Sequence, residues 1–236
     1  MPVCPACLEP PQAPEAEFLC AVCGTPFSSS FPLDERGRCR LCRAGANAFD
    51  AVCAAGFYEG RLRDLIHLFK YGGVETLAEP LGRMAMLAYP RRERVDLVVP
   101  MPMHWWRRWR RGFNQAGLLA REVGKRTGLP VMPVVRRSRR TSPQAGLSRK
   151  ARRQNVRGAF RVRRPDAVQG KRVLLVDDVF TTGSTANACA RALKDAGAAW
   201  VGVLVLARVD RRPPADRPEP GAIGFASSSS GVAVCA

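Results

Sequence analysis

The stretch Arg172 to Thr185, RVLLVDDVFTTGST, constrains the fold more than any other part of the 236-residue chain. Four apolar residues in a row, Val173 to Val176, lack the alternation of a half-exposed strand, so they read as a short strand buried on both faces, as a parallel sheet requires. Two carboxylates, Asp177 and Asp178, follow at its carboxyl end, and a Thr-Thr-Gly-Ser-Thr turn then opens a helix expected over 184–196. Gly183 lets the backbone approach a ligand closely. The amides of the first helical turn and the hydroxyls of Thr181, Thr182, Ser184 and Thr185 supply donors for a monophosphate. Asp177 and Asp178 repel a phosphate but suit a diol, whose hydroxyls they accept. A capping role alone explains neither the doubled Asp nor the four hydroxyls, so the stretch points to a phosphorylated sugar. A second apolar strand over 201–207 completes a strand-helix-strand unit, which predicts an α/β fold with a parallel sheet.

The nine cysteines provide the next constraint. No basic segment followed by an apolar run opens the chain, and no stretch approaches the 18 or so apolar residues of a membrane span. A cytoplasmic, reducing setting and no integral membrane segment are therefore expected, and clustered cysteines there bind metal more often than they form disulfides. Six cysteines form three Cys-x-x-Cys pairs: Cys4/Cys7, Cys20/Cys23 and Cys39/Cys42. The last two pairs have zinc-ribbon spacing, and Gly24 suits the left-handed turn of a knuckle. Cys20, Cys23, Cys39 and Cys42 are thus the expected ligands of a structural zinc, while a competing pairing sets Cys4 and Cys7 with Cys20 and Cys23. Cys53 and Cys189 read as ordinary buried small residues.

The pattern along the chain gives a Cys-rich module over residues 1–48, a folded domain over 49–209 and a disordered Pro-, Ser- and Gly-rich tail over 210–236. Helical spacing of Leu62, Leu65, Ile66 and Phe69 predicts a helix over 60–71, stopped by Gly72-Gly73. Further helices are expected over 76–88 and 114–124, and a short strand over 96–100 stopped by the Pro100-Met101-Pro102 turn. His67 reads as a surface helix residue and His104 as a turn residue.

The net charge of +18 is concentrated: residues 101–164 hold nineteen Lys and Arg against one acid, Glu122, and the remainder is balanced. Such a segment attracts polyanions. Trp105, Trp106, Arg107, Arg108, Trp109 and Arg110 interleave aromatics with cations, the composition of a sequence-tolerant single-strand site where bases stack and arginines track phosphates. The competing reading makes the tryptophans core and the arginines a solvated face. The basic, aperiodic stretch over 136–157 reads as an exposed loop or a hairpin arm.

Arg172 to Thr185 resembles the PRPP-binding motif of type I phosphoribosyltransferases. That resemblance implies that Asp177 and Asp178 bind the ribose hydroxyls and Thr181 to Thr185 the 5′-phosphate. The segments FYEGRLRDLIHLFKYGG (57–73), VVPMPMHWWRRWRRGFNQA (98–116) and RRTSPQAGLSRKARRQNVRGAF (139–160), with the cysteine pairs ahead of them, resemble the ComF family of competence-related phosphoribosyltransferase-like proteins over residues 1–208. The half of the double ribbon that would complete Cys4 and Cys7 is missing. The implied fold is a type I phosphoribosyltransferase-like parallel-sheet domain preceded by a small four-cysteine zinc ribbon. Lys70 stands in the position of the family's lysine, and Pro100 sits where a diphosphate-binding turn follows a strand. Arg111 is placed to neutralise a diphosphate, with magnesium held by the ligand's own oxygens and water. The implied role is a cytoplasmic accessory protein of DNA uptake, met at the inner face of the membrane by a DNA-translocating ATPase and a strand-loading protein. Two rival readings are a salvage phosphoribosyltransferase, for which no residue declares a base pocket, and a non-catalytic PRPP sensor.

Overall fold

The computed structural model describes residues 3–11, 16–103, 112–137, 158–210 and 212. The expected site residues Trp105 to Arg111, His104, the loop over 139–153 and nearly all of the 210–236 tail lie outside them.

The main sheet has four strands, all parallel, in the order β3 (Ala51–Phe57), β8 (Trp200–Arg208), β7 (Arg172–Phe180), β4 (Leu97–Pro100). Its centre is as apolar as the sequence requires: every residue of β8 is buried, and Val173 to Val176 of β7 are fully so. Alternate residues feed two cores. Leu174, Val176, Leu204 and Leu206 pack with α2 (Gly60–Tyr71), α3 (Ala78–Ala85) and α4 (Gln115–Thr127). Val173, Leu175, Val203 and Val205 pack with α5 (Ser184–Asp195) and with the cysteine-rich module.

Most expected elements are present, with instructive differences. Strand β3 was not foreseen, because its Ala51-Val52-Cys53-Ala54-Ala55-Gly56-Phe57 run is rich in small residues and owes its form to non-local pairing with β8. The helix expected over 76–88 is α3 flanked by 3-10 turns at Glu75–Leu77 and Met86–Ala88. Helix α4 runs three residues past Gly124, to a stop at Gly128 in the left-handed conformation. Strand β7 continues through both aspartates to Phe180. The ends of the basic segment pair as antiparallel β5 (Val135–Arg137) and β6 (Phe160–Val162).

The ribbon contributes β1 (Phe18–Leu19), β2 (Pro26–Phe27) and the one-turn α1 (Arg40–Arg43). It is fastened to the main domain by polar side chains. From the end of β8, the buried Arg208 guanidinium donates to the Cys23 carbonyl at 2.7 Å and to Thr25 Oγ1 at 3.2 Å. Gly24 is required between them: its φ is +61°, and a Cβ there would sit 2.8 Å from Arg208 Nη1. On α5, Asn187 accepts from the Ala48 amide and donates to the Ala46 carbonyl. The Asp50 carboxylate accepts from the Val201 amide and pairs with Lys194. Downstream of β8, buried Asp210 pairs with Arg212, whose guanidinium lies over the Phe57 ring. No described helix is long and apolar enough to cross a membrane.

Hydrogen bonds from a buried cation are worth about 1.5 to 3 kcal/mol on truncation. Arg208→Met is expected to lower the melting temperature by about 4 to 8 °C, read by circular dichroism, whereas Arg121→Met on the exposed side of α4 leaves it unchanged.

Candidate functional site

The site grows from the carboxyl end of β7. Gly183 ends the turn in the left-handed conformation, φ +72°, and serves as the N-cap of α5. Its hydrogen side faces the Phe180 ring: a Cβ at 183 would lie 2.6 Å from that ring. Two independent reasons therefore demand glycine. Thr182 Oγ1 and Ser184 Oγ lie 2.9 Å apart, and the Ser184 amide leans on Thr182 Oγ1 at 3.3 Å. The first turn of α5 leaves amide hydrogens without carbonyl partners inside the helix, at the positive end of its dipole. A cavity of about 40 Å³ lies beneath the turn, lined by Asp177, Thr181, Gly183, Ser184 and Thr185 among others.

The two aspartates are directed to different faces of the sheet. Because β7 runs through them, consecutive side chains leave opposite faces of the sheet. Asp178 meets α2, where its Oδ1 lies 3.0 Å from Lys70 Nζ. Asp177 faces α5, accepts from the Asp178 amide at 2.9 Å and lines the cavity under the turn with Val203 and Val205. Burial first, and the Asp178 charge second, push the Asp177 carboxyl up to about 7, against the pull of the Asp178 amide, Lys70 and Arg137. Burial opposes the charge on Lys70, yet Asp178, by charge and hydrogen bond, and Asp177 hold its ammonium above the ordinary range. On the same face as Asp177, the buried Cys189 thiol is raised by burial and by that carboxylate. His67 is exposed on α2, its ring tilted against that of Tyr71 with centroids 4.6 Å apart.

Pro100 closes β4 beside Val176, one residue before Asp177, and the Met101 amide donates to the Val176 carbonyl. Asn114 Nδ2 holds the Met101 carbonyl at 3.2 Å, and Gln115, fully buried, donates to the Lys70 carbonyl at 3.4 Å. The Asn114-Gln115 pair thus ties the turn after β4 and the end of α2 to the start of α4. Sequence reading passed over both residues as site components; their polar type at the first turn of an otherwise apolar helix face was the available signal.

The second centre is the ribbon. The sulfurs of Cys20, Cys23, Cys39 and Cys42 all lie within 4.8 Å of one another, with Cys23 and Cys39 at 3.8 Å. Tetrahedral zinc with bonds of about 2.3 Å sets its sulfurs about 3.8 Å apart, so the cluster fits a zinc ribbon. Outer donors suit thiolates: the Cys39 amide points to Cys20 Sγ and Asn47 Nδ2 to Cys42 Sγ, each at 3.3 Å, and Thr25 Oγ1 lies 3.0 Å from Cys23 Sγ. Hydrogen bonds from Cys23, Cys39 and Cys42 draw the Cys20 thiol far down. Cys39 is raised by Cys20 yet lowered overall, to about 6, by Cys23 and Cys42. Cys4 and Cys7 lie outside this cluster, their sulfurs 3.4 Å from each other.

A parallel α/β domain with a Thr-Thr-Gly-Ser-Thr turn after the central strand β7, preceded by a four-cysteine ribbon, defines a protein of the phosphoribosyltransferase fold. The family described as "Phosphoribosyl transferase domain" matches residues 109–223. Competence protein F of Haemophilus influenzae is 34% identical over 178 residues, covering 72% of this chain and 78% of that protein. DNA utilization protein YhgH of Escherichia coli K12 is 34% identical over 198 residues, 80% of this chain and 84% of its own. Competence protein ComFC of Bacillus subtilis is 26% identical over 146 residues, 60% and 57% of the two chains. The chain belongs to the ComF family.

The Asp177 shift gives a pH dependence of definite sign. Its folded pKa lies above the unfolded value of about 3.9, so stability is greatest while the carboxyl keeps its proton and declines as pH rises through about 7. Asn at 177 keeps the acceptor for the Asp178 amide and cannot ionise. The melting temperature of Asp177→Asn minus that of wild type is expected to grow from pH 5 to pH 8, measured in matched buffers.

Proposed function

We propose that the chain is an accessory protein of DNA uptake in natural transformation that binds PRPP with magnesium and handles single-stranded DNA in the cytoplasm. The observation that carries the PRPP part is the turn from Asp177 to Thr185. A left-handed Gly183 lies over Phe180, Thr182 and Ser184 hydroxyls meet at a helix N-terminus, and a carboxylate stands on each side of the strand that feeds it. The 5′-phosphate takes the amides and hydroxyls of Thr181 to Thr185. The ribose hydroxyls reach Asp178, with Asp177 holding the turn from below. The diphosphate lies toward Pro100 and Lys70; Arg111, outside the described residues, is the further cation expected to neutralise it, and magnesium would be held by the ligand's own oxygens and water.

The relatives named for competence and DNA utilization support the uptake role, as does the basic segment with Trp105, Trp106, Arg107, Arg108, Trp109 and Arg110. A DNA-translocating ATPase and a strand-loading protein fit that role as partners, which would bring the protein to the inner face of the membrane. The ribbon metal is zinc, held by Cys20, Cys23, Cys39 and Cys42, and its work is structural because four thiolates close the coordination sphere. A second reading, phosphoribosyl transfer to a nitrogenous base, is favoured by the domain match over residues 109–223. It divides from the first at turnover, since a transferase releases diphosphate when its acceptor base is present.

Calorimetric titration of PRPP with magnesium into wild type and Asp177→Asn/Asp178→Asn, with diphosphate assayed in the same samples over a panel of nucleobases, tests both. Binding in wild type, at least tenfold weaker in the variant and without diphosphate release, is the expected result. Release that depends on one base selects the transferase, and no binding in wild type contradicts the PRPP reading. Metal analysis is expected to find about one zinc per chain, lost in Cys39→Ser.

A further inference from the structure

One face of the ribbon is left unexplained by metal binding or by packing on the sheet. A cleft of about 360 Å³ opens between the ribbon and the turn after β7, with Phe27, Phe49, Phe180, Arg40, Leu41 and Thr182 among its walls. Phe49 and Phe180 meet edge to face at its floor, ring centres 5.9 Å apart. Phe31 stands beside this opening in sequence, between Ser28 and Pro32, which also line it, and its side chain is 94% exposed. An aromatic ring held in water costs solubility and contributes nothing to this fold. In the second half of the ribbon Arg36, Arg40 and Arg43 are exposed and form no ion pair among the described residues, against one exposed acid, Glu35; Arg38 is held by Asp34, and Arg40 itself lines the cleft.

Resting on the DNA-handling reading above, we propose that this ribbon face is a single-stranded DNA site, where Phe31 stacks on one base, the cleft admits a neighbouring base, and Arg36, Arg40 and Arg43 hold the phosphates. An exposed ring on the same small module as unpaired guanidinium groups, one of them in the cleft wall, is a combination suited to unpaired bases bound without sequence preference. A duplex buries its base faces and gives Phe31 nothing to stack on. Thr182 and Phe180 belong both to the cleft and to the turn after β7, so a strand seated here lies against the sugar-phosphate site rather than remote from it. Asn47 lines the cleft while its amide nitrogen donates to Cys42 Sγ, and no partner for its Oδ1 acceptor is found among the described residues.

Fluorescence anisotropy with a labelled oligo-dT of about twenty nucleotides, at several salt concentrations, separates this site from others. The proteins are wild type, Phe31→Ala, Phe31→Trp and Arg36→Ala/Arg40→Ala/Arg43→Ala, each first shown to carry the wild-type zinc content. Phe31→Ala is expected to weaken binding about tenfold. Phe31→Trp retains affinity, and its fluorescence is quenched by the oligonucleotide. The triple variant loses affinity and shows a salt slope smaller by about 2. A duplex of the same length competes poorly.

Wild-type affinity and slope in both the Phe31→Ala and triple variants overturn the site while leaving DNA handling by the chain intact. Absence of any oligonucleotide binding by wild type overturns the site together with the DNA-handling reading, and leaves PRPP binding to its own titration. A change of oligomeric state in Phe31→Ala with unchanged DNA affinity makes the face a contact between copies and overturns the proposal.

Discussion

The buried guanidinium of Arg208 joins parts of the structure that have little else in common. It leaves the last residue of the central strand β8, donates to the Cys23 carbonyl and Thr25 of the zinc knuckle, and lies 5.8 Å from the centre of the Phe180 ring. Phe180 in turn supports Gly183 at the head of α5. A cation taken out of water is tolerable only where carbonyls and hydroxyls replace the lost solvation, so the knuckle must fold for Arg208 to be buried. The ribbon is thus part of the domain's core, and the fold of the four-cysteine knuckle is coupled to the turn at the head of α5 through Arg208 and Phe180.

The turn at the head of α5 follows directly from the course of β7, whose centre is fully buried. Carrying β7 four residues beyond its apolar centre sends Asp177 to the α5 face and Asp178 to the α2 face. Each then meets a different environment. Asp178 is matched by Lys70, whereas burial and the neighbouring Asp178 charge raise the Asp177 pKa. One strand end therefore presents an ion-paired carboxylate against α2 and, beneath the turn at the head of α5, a carboxylate whose pKa is raised to about 7. Asn114 and Gln115 hold the facing turn after β4 in register with this arrangement.

What the sequence made legible was local. The buried run into a Thr-Thr-Gly-Ser-Thr turn and the Cys20/Cys23 and Cys39/Cys42 pairs carry their geometry in a few adjacent residues, so strand, turn, helix and metal cluster follow from spacing. Strand β3 does not, because Ala51 to Phe57 become a strand only by lying against β8, some 150 residues later. The same holds for Arg208, one more arginine in an arginine-rich chain until β8 aims it into the ribbon. Ending β7 at Val176 concealed the division of the two aspartates, since the alternation that separates them exists only if the strand continues. Lys70 was marked by family resemblance, but its partner Asp178 is a contact between α2 and β7 that no spacing reveals.

A crystal structure of the wild-type protein with PRPP and magnesium tests the central claim most directly. The 5′-phosphate is expected on the amides and hydroxyls between Thr181 and Thr185, the ribose hydroxyls at Asp178, and the Phe180 ring unchanged beneath Gly183. Density for the ligand elsewhere on the molecule, with this turn empty at saturating PRPP, would contradict it.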